Sequence, residues 1–207
     1  GVLFRHGFEK LRNNIYKVSN FEKKFSKKFS SRHALAVTSG TAALRVALAS
    51  LNLKKGDEVI TQSFTFVATV EAIIESRAKP VCTEIDETLN MDPQDLIKKI
   101  NKKTKAVIVV HMLGVPANLN IIKKICKKNN LTLIEDTAWG LGGKYYNKYL
   151  GTIGDIGTYS FDFAKSITTG EGGMITFKSK KNYLKAKAWH DHGHENNPNV
   201  PRWKDTR

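Results

Sequence analysis

The chain has 207 residues, of which 41% are hydrophobic and 26% are charged, so it can bury the core of one large domain. Its formal net charge of +15 raises the question of a nucleic-acid or anionic-membrane partner, although it also suits an anionic small substrate. The lysines are spread over many segments and recur in pairs at helical spacing, and the apolar runs are too short to span a bilayer. We therefore predict no nucleic-acid partner and no membrane partner.

The cysteines and the N-terminal sequence indicate a cytoplasmic protein. Cys82 and Cys126 lie far apart without the spacing of metal ligands, and we expect both to be buried and reduced. The first residues do not have the architecture of a signal peptide. The first residue is glycine rather than methionine and the last segment carries no closing signal, so we expect a fragment of a longer chain.

The first 30 residues predict a lead-in followed by a helix. Phe21, Phe25 and Phe29 recur at every fourth position, which predicts a helix over Asn20–Phe29 with lysines on its outer face. We assign residues 1–30 to this N-terminal element and residues 31–190 to one large domain. Residues 191–207 would begin a substrate-side loop or a linker to a missing C-terminal domain.

Strands and helices alternate from residue 31 onward. We predict strands at His33–Val37, Glu58–Ile60, Lys79–Ile85, Val107–His111, Leu131–Glu135, Gly157–Phe161 and Met174–Phe177, and helices at Ala42–Leu51, Val67–Ser76, Pro93–Ile100 and Leu119–Asn129. This alternation predicts βαβ units, and therefore an α/β fold with a mostly parallel central sheet and helices on both faces. Ligands of such sheets bind outside the carboxyl ends of the strands, so residues that follow strands are the candidates for a site.

The first candidate is the Ser-Gly-Thr-Ala stretch in which Gly40, Thr41 and Ala42 open a helix directly after a strand. Free backbone N–H groups and the positive end of the helix dipole would hold a phosphate there, and the Thr41 hydroxyl would add a donor. The same residues are also explained by an ordinary helix cap.

The second candidate is Asp136, which follows Glu135 at the end of a buried strand. A carboxylate in that position needs a cation or several donors. A heteroaromatic ring with a protonated nitrogen, such as a pyridoxal cofactor brings, would provide the cation. A capping or purely structural aspartate is the alternative.

The third candidate is Lys165, whose neighbours Phe161, Phe163, Ala164 and Ile167 are apolar, whereas most other lysines lie in polar runs. We expect these neighbours to desolvate the amine and lower its pKa, which favours Schiff-base formation with a carbonyl. A solvated surface lysine in a loop between two strands is the alternative.

Two further residues complete the set of parts that pyridoxal phosphate requires. Ser160 precedes Lys165 by five positions and could reach a phosphate oxygen, and Phe66 follows another strand and offers a flat apolar face to a ring. Phe66 could equally be core filler. The coincidence of phosphate site, ring-nitrogen partner, stacking aromatic and lysine indicates this cofactor more strongly than any single residue does.

Several of these motifs together resemble the DegT/DnrJ/EryC1/StrS family of sugar aminotransferases. The resemblance rests on Thr38–Leu44, Gly56–Ile60, Phe64–Thr69, Ile134–Asp136 and Ser160–Gly173, which occur in order over essentially the whole chain. It implies the large domain of a fold-type I transferase that depends on pyridoxal 5'-phosphate, with the C-terminal small domain absent or truncated. It also implies a homodimer whose active site is shared between the subunits.

The resemblance assigns a role to each matching position. Lys165 matches the Schiff-base lysine and Asp136 the partner of the ring nitrogen, so these two are the expected catalytic residues. The expected cofactor-binding residues are Gly40, Thr41, Ala42, Phe66, Asp136, Trp139, Ser160 and Lys165. Trp139 stands where the family usually has His or Gln, which puts the usual polar contact to the cofactor's phenolic oxygen in doubt.

The activity implied is amino transfer, with glutamate as donor, to a sugar aldehyde or ketone. Dehydratases of the same family have histidine in place of the lysine, so Lys165 favours transamination. Short sequence stretches resemble those of family members that aminate 8-oxo-3,8-dideoxy-manno-octulosonate for lipopolysaccharide. They contain our candidate substrate-binding residues, Phe4, Arg5, His192 and His194. The closely spaced histidines of that loop suit a polar substrate better than a metal, so we predict no metal site.

Two alternatives to this function are open. The acceptor could be a nucleotide-linked keto sugar. From a different class, the chain could be a non-catalytic basic binding protein on the same fold, with salt-sensitive binding to nucleic acid.

Overall fold

The computed structural model describes residues 16–191. Four predicted substrate-binding residues, Phe4, Arg5, His192 and His194, lie outside this part of the chain. Within it, no helix is long and apolar enough to cross a membrane.

The described residues form six α-helices, one short 3-10 helix (Met112–Gly114) and nine strands. The helices are α1 (Lys17–Phe29), α2 (Gly40–Ala49), α3 (Val67–Glu75), α4 (Pro93–Lys99), α5 (Leu119–Lys128) and α6 (Lys180–His190). The strands are β1 (His33–Val37), β2 (Glu58–Gln62), β3 (Lys79–Thr83), β4 (Thr104–Val110), β5 (Thr132–Asp136), β6 (Lys144–Tyr145), β7 (Lys148–Tyr149), β8 (Ile156–Ser160) and β9 (Gly173–Phe177). Every strand and helix predicted from the sequence is present, with ends that differ by up to a few residues, whereas α6, β6 and β7 were not predicted.

Seven of the strands form one central sheet in the order β1-β9-β8-β5-β4-β2-β3. Strands β3, β2, β4, β5 and β8 pair in parallel, whereas β9 pairs antiparallel with both β8 and β1. All strands except β9 therefore run in one direction and end at one edge of the sheet. The predicted α/β class with a mostly parallel sheet is confirmed.

The core lies on both faces of this sheet because the central strands are apolar on both sides. Along β4, Ile108 packs on one face, while Val107 and Val109 pack on the other. The first face is covered by α2, α3 and α6, and the second by α4 and α5. Fully buried parallel strands with helices on both faces are the arrangement that near-continuous apolar runs predict.

Helix α1 joins the sheet through a cluster of aromatic rings. Phe25 and Phe29 are buried, as the spacing predicted, and Phe25 contacts Tyr159 of β8 with ring centroids 5.1 Å apart. Phe21 is 39% exposed, but its ring packs edge-on against Phe161 at 5.7 Å. The helix is therefore packed against the strand and loop that lead to Lys165.

The prediction that both cysteines are buried is wrong for Cys82. Cys126 lies on the buried face of α5, where burial raises the pKa of its thiol to about 12. Cys82 is exposed because it lies on β3, the edge strand of the sheet.

Candidate active site

A cleft of about 370 Å³ opens at the edge where the parallel strands end. It is lined by residues that follow β1, β2, β4, β5 and β8, as expected for a sheet of this class. All but one of the predicted cofactor-binding residues line it, namely Gly40, Thr41, Phe66, Asp136, Trp139, Ser160 and Lys165. The exception is Ala42.

One end of the cleft is formed by the N-terminus of α2 against Ser160. A Cβ added to Gly40 would lie 2.8 Å from the Cβ of Ser160, so this close approach requires glycine. Ser39 caps the helix and accepts a hydrogen bond from the Ala42 N–H at 3.0 Å. Within residues 16–191 the N–H groups of Gly40 and Thr41 have no partner, as is normal for a first helical turn. These two N–H groups and two hydroxyls, those of Thr41 and Ser160, can hold an anion.

Asp136 is 6% exposed and ends β5 at the floor of the cleft. Its carboxylate accepts hydrogen bonds from the Thr69 hydroxyl and from the Ala138 N–H, both at 3.1 Å. Burial raises the pKa of Asp136, and these two bonds and the charge of Lys165 oppose this effect only in part. The ionised form of Asp136 would therefore gain from a further cation in the cleft.

The neighbouring carboxylate, Glu135, points to the other side of the strand and is fully buried. It accepts hydrogen bonds from the backbone N–H groups of Gly151, Ile153 and Gly154, and from Nε2 of His111 at 3.1 Å. The Nδ1 atom of His111 accepts from the Ala117 N–H, so the ring proton is on Nε2. Glu135 thus fixes the segment between β7 and β8 and has a structural role beside the site.

Lys165 lies in the loop after β8 and is half-buried. Its backbone N–H donates to the Asp162 carbonyl at 3.0 Å, and its Nζ lies 3.6 Å from the centroid of the Trp139 ring. Burial lowers the pKa of Lys165, while the negative charges of Asp162 and Asp136 raise it in part. The direction predicted for the pKa is correct.

The residues predicted to desolvate Lys165 are largely the wrong ones. Phe161 is buried, but Phe163 is 78% exposed and Ile167 is 58% exposed, and Ala164 is exposed as well. Phe163, Ala164 and Ile167 are exposed to solvent because the loop turns at Asp162, whose side chain accepts a hydrogen bond from the Ala164 N–H. The ring that covers the amine comes instead from Trp139.

Phe66 is 69% exposed and stands at the start of α3, on the wall of the cleft. A large aromatic ring with so much free surface is available to stack on a ligand, and its role as core filler is excluded. Thr69, one helical turn further on, was not predicted as a site residue. Its position three residues after Phe66 on the same helix was the available signal.

These residues fit pyridoxal phosphate in three independent respects. The helix start with Ser160 suits the phosphate, and the buried carboxyl of Asp136 suits a protonated ring nitrogen. The amine of Lys165, whose pKa is lowered, suits a carbonyl.

Comparison with known proteins agrees with the motifs. The model of the DegT/DnrJ/EryC1/StrS aminotransferase family matches residues 9–206. GDP-perosamine synthase of Escherichia coli O157:H7 is 43% identical over 167 residues, which are 80% of this chain and 46% of that protein.

Two solved structures extend the agreement to the fold. The aminotransferase from Psychrobacter cryohalolentis has a TM-score of 0.87 at 35% identity, covering 92% of this chain and 50% of that one. NtdA from Bacillus subtilis, with the cofactor PMP bound, has a TM-score of 0.81 at 32% identity. The match covers 88% of this chain and 41% of that one. The predicted fold of a pyridoxal-phosphate-dependent transferase is confirmed, and the cofactor is confirmed for the family. The chain spans about half the length of the relatives and structures it matches.

Proposed function

Because the chain belongs to the DegT/DnrJ/EryC1/StrS aminotransferase family, we propose that the protein transfers an amino group, with glutamate as donor, to the carbonyl group of a sugar. The observation that carries this proposal is the meeting of Lys165 and Asp136 in one cleft whose end is a helix N-terminus. Neither an ordinary surface lysine nor a capping aspartate requires the other nearby. An aminotransferase requires both.

Residues that line the cleft would each contribute one part of this reaction. When bound, pyridoxal phosphate supplies an electron sink for the carbon that loses its proton. Lys165 would hold the carbonyl end of the cofactor between turnovers and, once the amino donor has released it, would move protons at Nζ as general base and acid. Asp136 would keep the ring nitrogen protonated, Phe66 would cover a ring face, and the start of α2 with Ser160 would bind the phosphate.

The acceptor we propose is 8-oxo-3,8-dideoxy-manno-octulosonate, for lipopolysaccharide biosynthesis in the cytoplasm. The support is the resemblance to the members that aminate this sugar, which extends to the short stretches Glu84–Leu89 and Val110–Met112. Met112 lines the cleft, but His111 is fully buried against Glu135 and cannot contact a substrate there. A nucleotide-linked keto sugar is the second candidate, because a similar protein is named GDP-perosamine synthase.

We further propose a homodimer that shares the site. Large apolar side chains are exposed at and beside the cleft: Phe66 is 69% exposed, Val67 55%, Leu113 65% and Phe163 78%. Several large exposed apolar side chains close to a ligand site are typical of a surface that another subunit covers. Analytical ultracentrifugation of the protein and of Phe163→Glu would test this, and a monomeric wild type would contradict it.

Replacement of the lysine tests the activity. Lys165→Ala should abolish amino transfer from glutamate while leaving the far-UV circular dichroism unchanged. Lys178→Arg is the matched control, since the pKa of Lys178 is also lowered by burial but its Nζ donates to the Ile153 carbonyl, outside the cleft. Amino transfer retained in Lys165→Ala would refute the assignment.

A panel of acceptors tests the substrate. The octulosonate aldehyde and a GDP-linked keto sugar would be offered to the protein at equal concentrations, and the aminated products quantified by mass spectrometry. Turnover of the free octulosonate alone supports the acceptor we propose. Turnover of the nucleotide sugar alone favours the second candidate.

A further inference from the structure

The amine of Lys165 rests on an aromatic face. Its Nζ lies 3.6 Å from the centroid of the Trp139 ring, which is the geometry of a cation–π contact. Trp139 belongs to the turn that follows β5, where the Ala138 N–H is bound to the Asp136 carboxylate, and Lys165 belongs to the loop after β8. Two neighbouring strands of the sheet therefore bring the indole and the amine together.

The indole discriminates between the two protonation states of the amine. An aromatic face attracts an ammonium cation and gives no such attraction to a neutral amine. Burial lowers the pKa of Lys165, and Asp162 and Asp136 oppose that change. Glu171 also lines the cleft and adds negative charge there. Like these carboxylates, the indole face favours the protonated form of Lys165, although it offers no acceptor atom.

We propose that Trp139 is a positioning residue that holds the protonated Nζ of Lys165 inside the cleft whenever the lysine is not bonded to a ligand. A lysine has a flexible four-carbon stem and would otherwise extend its charged head into water. The indole keeps the amine in the cleft that Asp136 also lines, where the ring of the cofactor would bind. The role of this contact in amino transfer rests on the proposed function, whereas the contact itself is independent of it.

The pair Trp139→Phe and Trp139→Leu separates the aromatic face from apolar bulk. In cofactor-free protein, the acetylation of Lys165 by acetic anhydride would be followed against pH by peptide mass spectrometry. Loss of the face should raise the acid dissociation constant of Lys165 about two- to fivefold in Trp139→Leu, because Trp139 is 43% exposed and the contact is correspondingly weak. Trp139→Phe should lie between Trp139→Leu and wild type, and Lys178 should not change.

A second readout reports the geometry directly. The ε-methylene protons of Lys165, assigned by comparison with Lys165→Arg, should be shifted upfield by the ring current in wild type and in Trp139→Phe. The shift should be absent in Trp139→Leu. A dissociation constant in Trp139→Leu equal to or below that in Trp139→Phe, or no upfield shift in wild type, would overturn the proposal.

Treatment of the same proteins with pyridoxal phosphate and borohydride distinguishes this proposal from the function on which it rests. An adduct on Lys165 together with identical acetylation profiles for both variants would overturn the positioning role and leave the function standing. If the acetylation profiles follow the expected order but no protein forms an adduct, the result would support the contact and contradict the proposed function.

Discussion

Glu135→Gln is expected to lower the free energy of unfolding by about 2–6 kcal/mol at pH 7. The carboxylate has no exposed surface, and each of its oxygens accepts two hydrogen bonds. Glutamine keeps one acceptor oxygen and turns an NH2 group toward the other two donors. Two buried donors then lose their partner at about 1–3 kcal/mol each. His111 cannot compensate by moving its proton, because its Nδ1 accepts from the Ala117 N–H.

The effect should depend on pH in a defined direction. Desolvation disfavours the ionised form of Glu135, but hydrogen bonds from His111 and from the N–H groups of Gly154 and Gly151 hold its pKa below the ordinary value. The stabilisation is therefore complete above the unfolded-state pKa of about 4.3 and is lost as pH falls through the folded-state pKa. The difference between wild type and Glu135→Gln should shrink in acid.

Urea denaturation at pH 7 and at acidic pH measures both effects. Glu75→Gln is the matched control, because Glu75 forms an exposed ion pair with Arg45 and should cost less than about 1 kcal/mol. A change below 1 kcal/mol in Glu135→Gln at pH 7, or one that grows in acid, would contradict the role assigned to this carboxylate.

Two further predictions concern the cleft. Asp136→Asn should raise the Tm of the cofactor-free protein at pH 7 and weaken its binding of pyridoxal phosphate. Burial raises the pKa of Asp136, so the ionised side chain lowers stability at neutral pH, and Asn can still pair with Thr69 and Ala138. A lower Tm by calorimetry would contradict this. Gly40→Ala should weaken binding of pyridoxal phosphate about tenfold or more, and of pyridoxal much less, because its Cβ would crowd Ser160. Equal losses for both ligands by titration calorimetry would refute the phosphate site.

The sequence was sufficient for the fold and for most of the cleft because both depend on local pattern. Alternating apolar runs predict the parallel strands, and parallel strands place the residues that follow them at one edge. Gly40, Asp136 and the segment from Ser160 to Lys165 are far apart in the chain, yet this rule alone brings them together. The order of the strands within the sheet did not have to be known.

The parts that were missed depend on how the loops fold back. The sequence places Phe163 and Ile167 beside Lys165, but the turn at Asp162 directs them into solvent, and Trp139 covers the amine from another strand. Glu135 is structural and Asp136 lines the cleft because the pleat of a strand directs adjacent side chains to opposite faces. Which face meets the cleft is decided by packing on both sides of the sheet.

Trapping of the Schiff base tests the central claim most directly. The protein would be mixed with pyridoxal phosphate, its absorption spectrum recorded before and after borohydride, and the labelled peptide mapped. We predict a yellow species that borohydride bleaches, with the label on Lys165. Absence of an adduct, or a label on another lysine such as Lys178, would contradict the assignment of Lys165 and, with it, the proposed amino transfer.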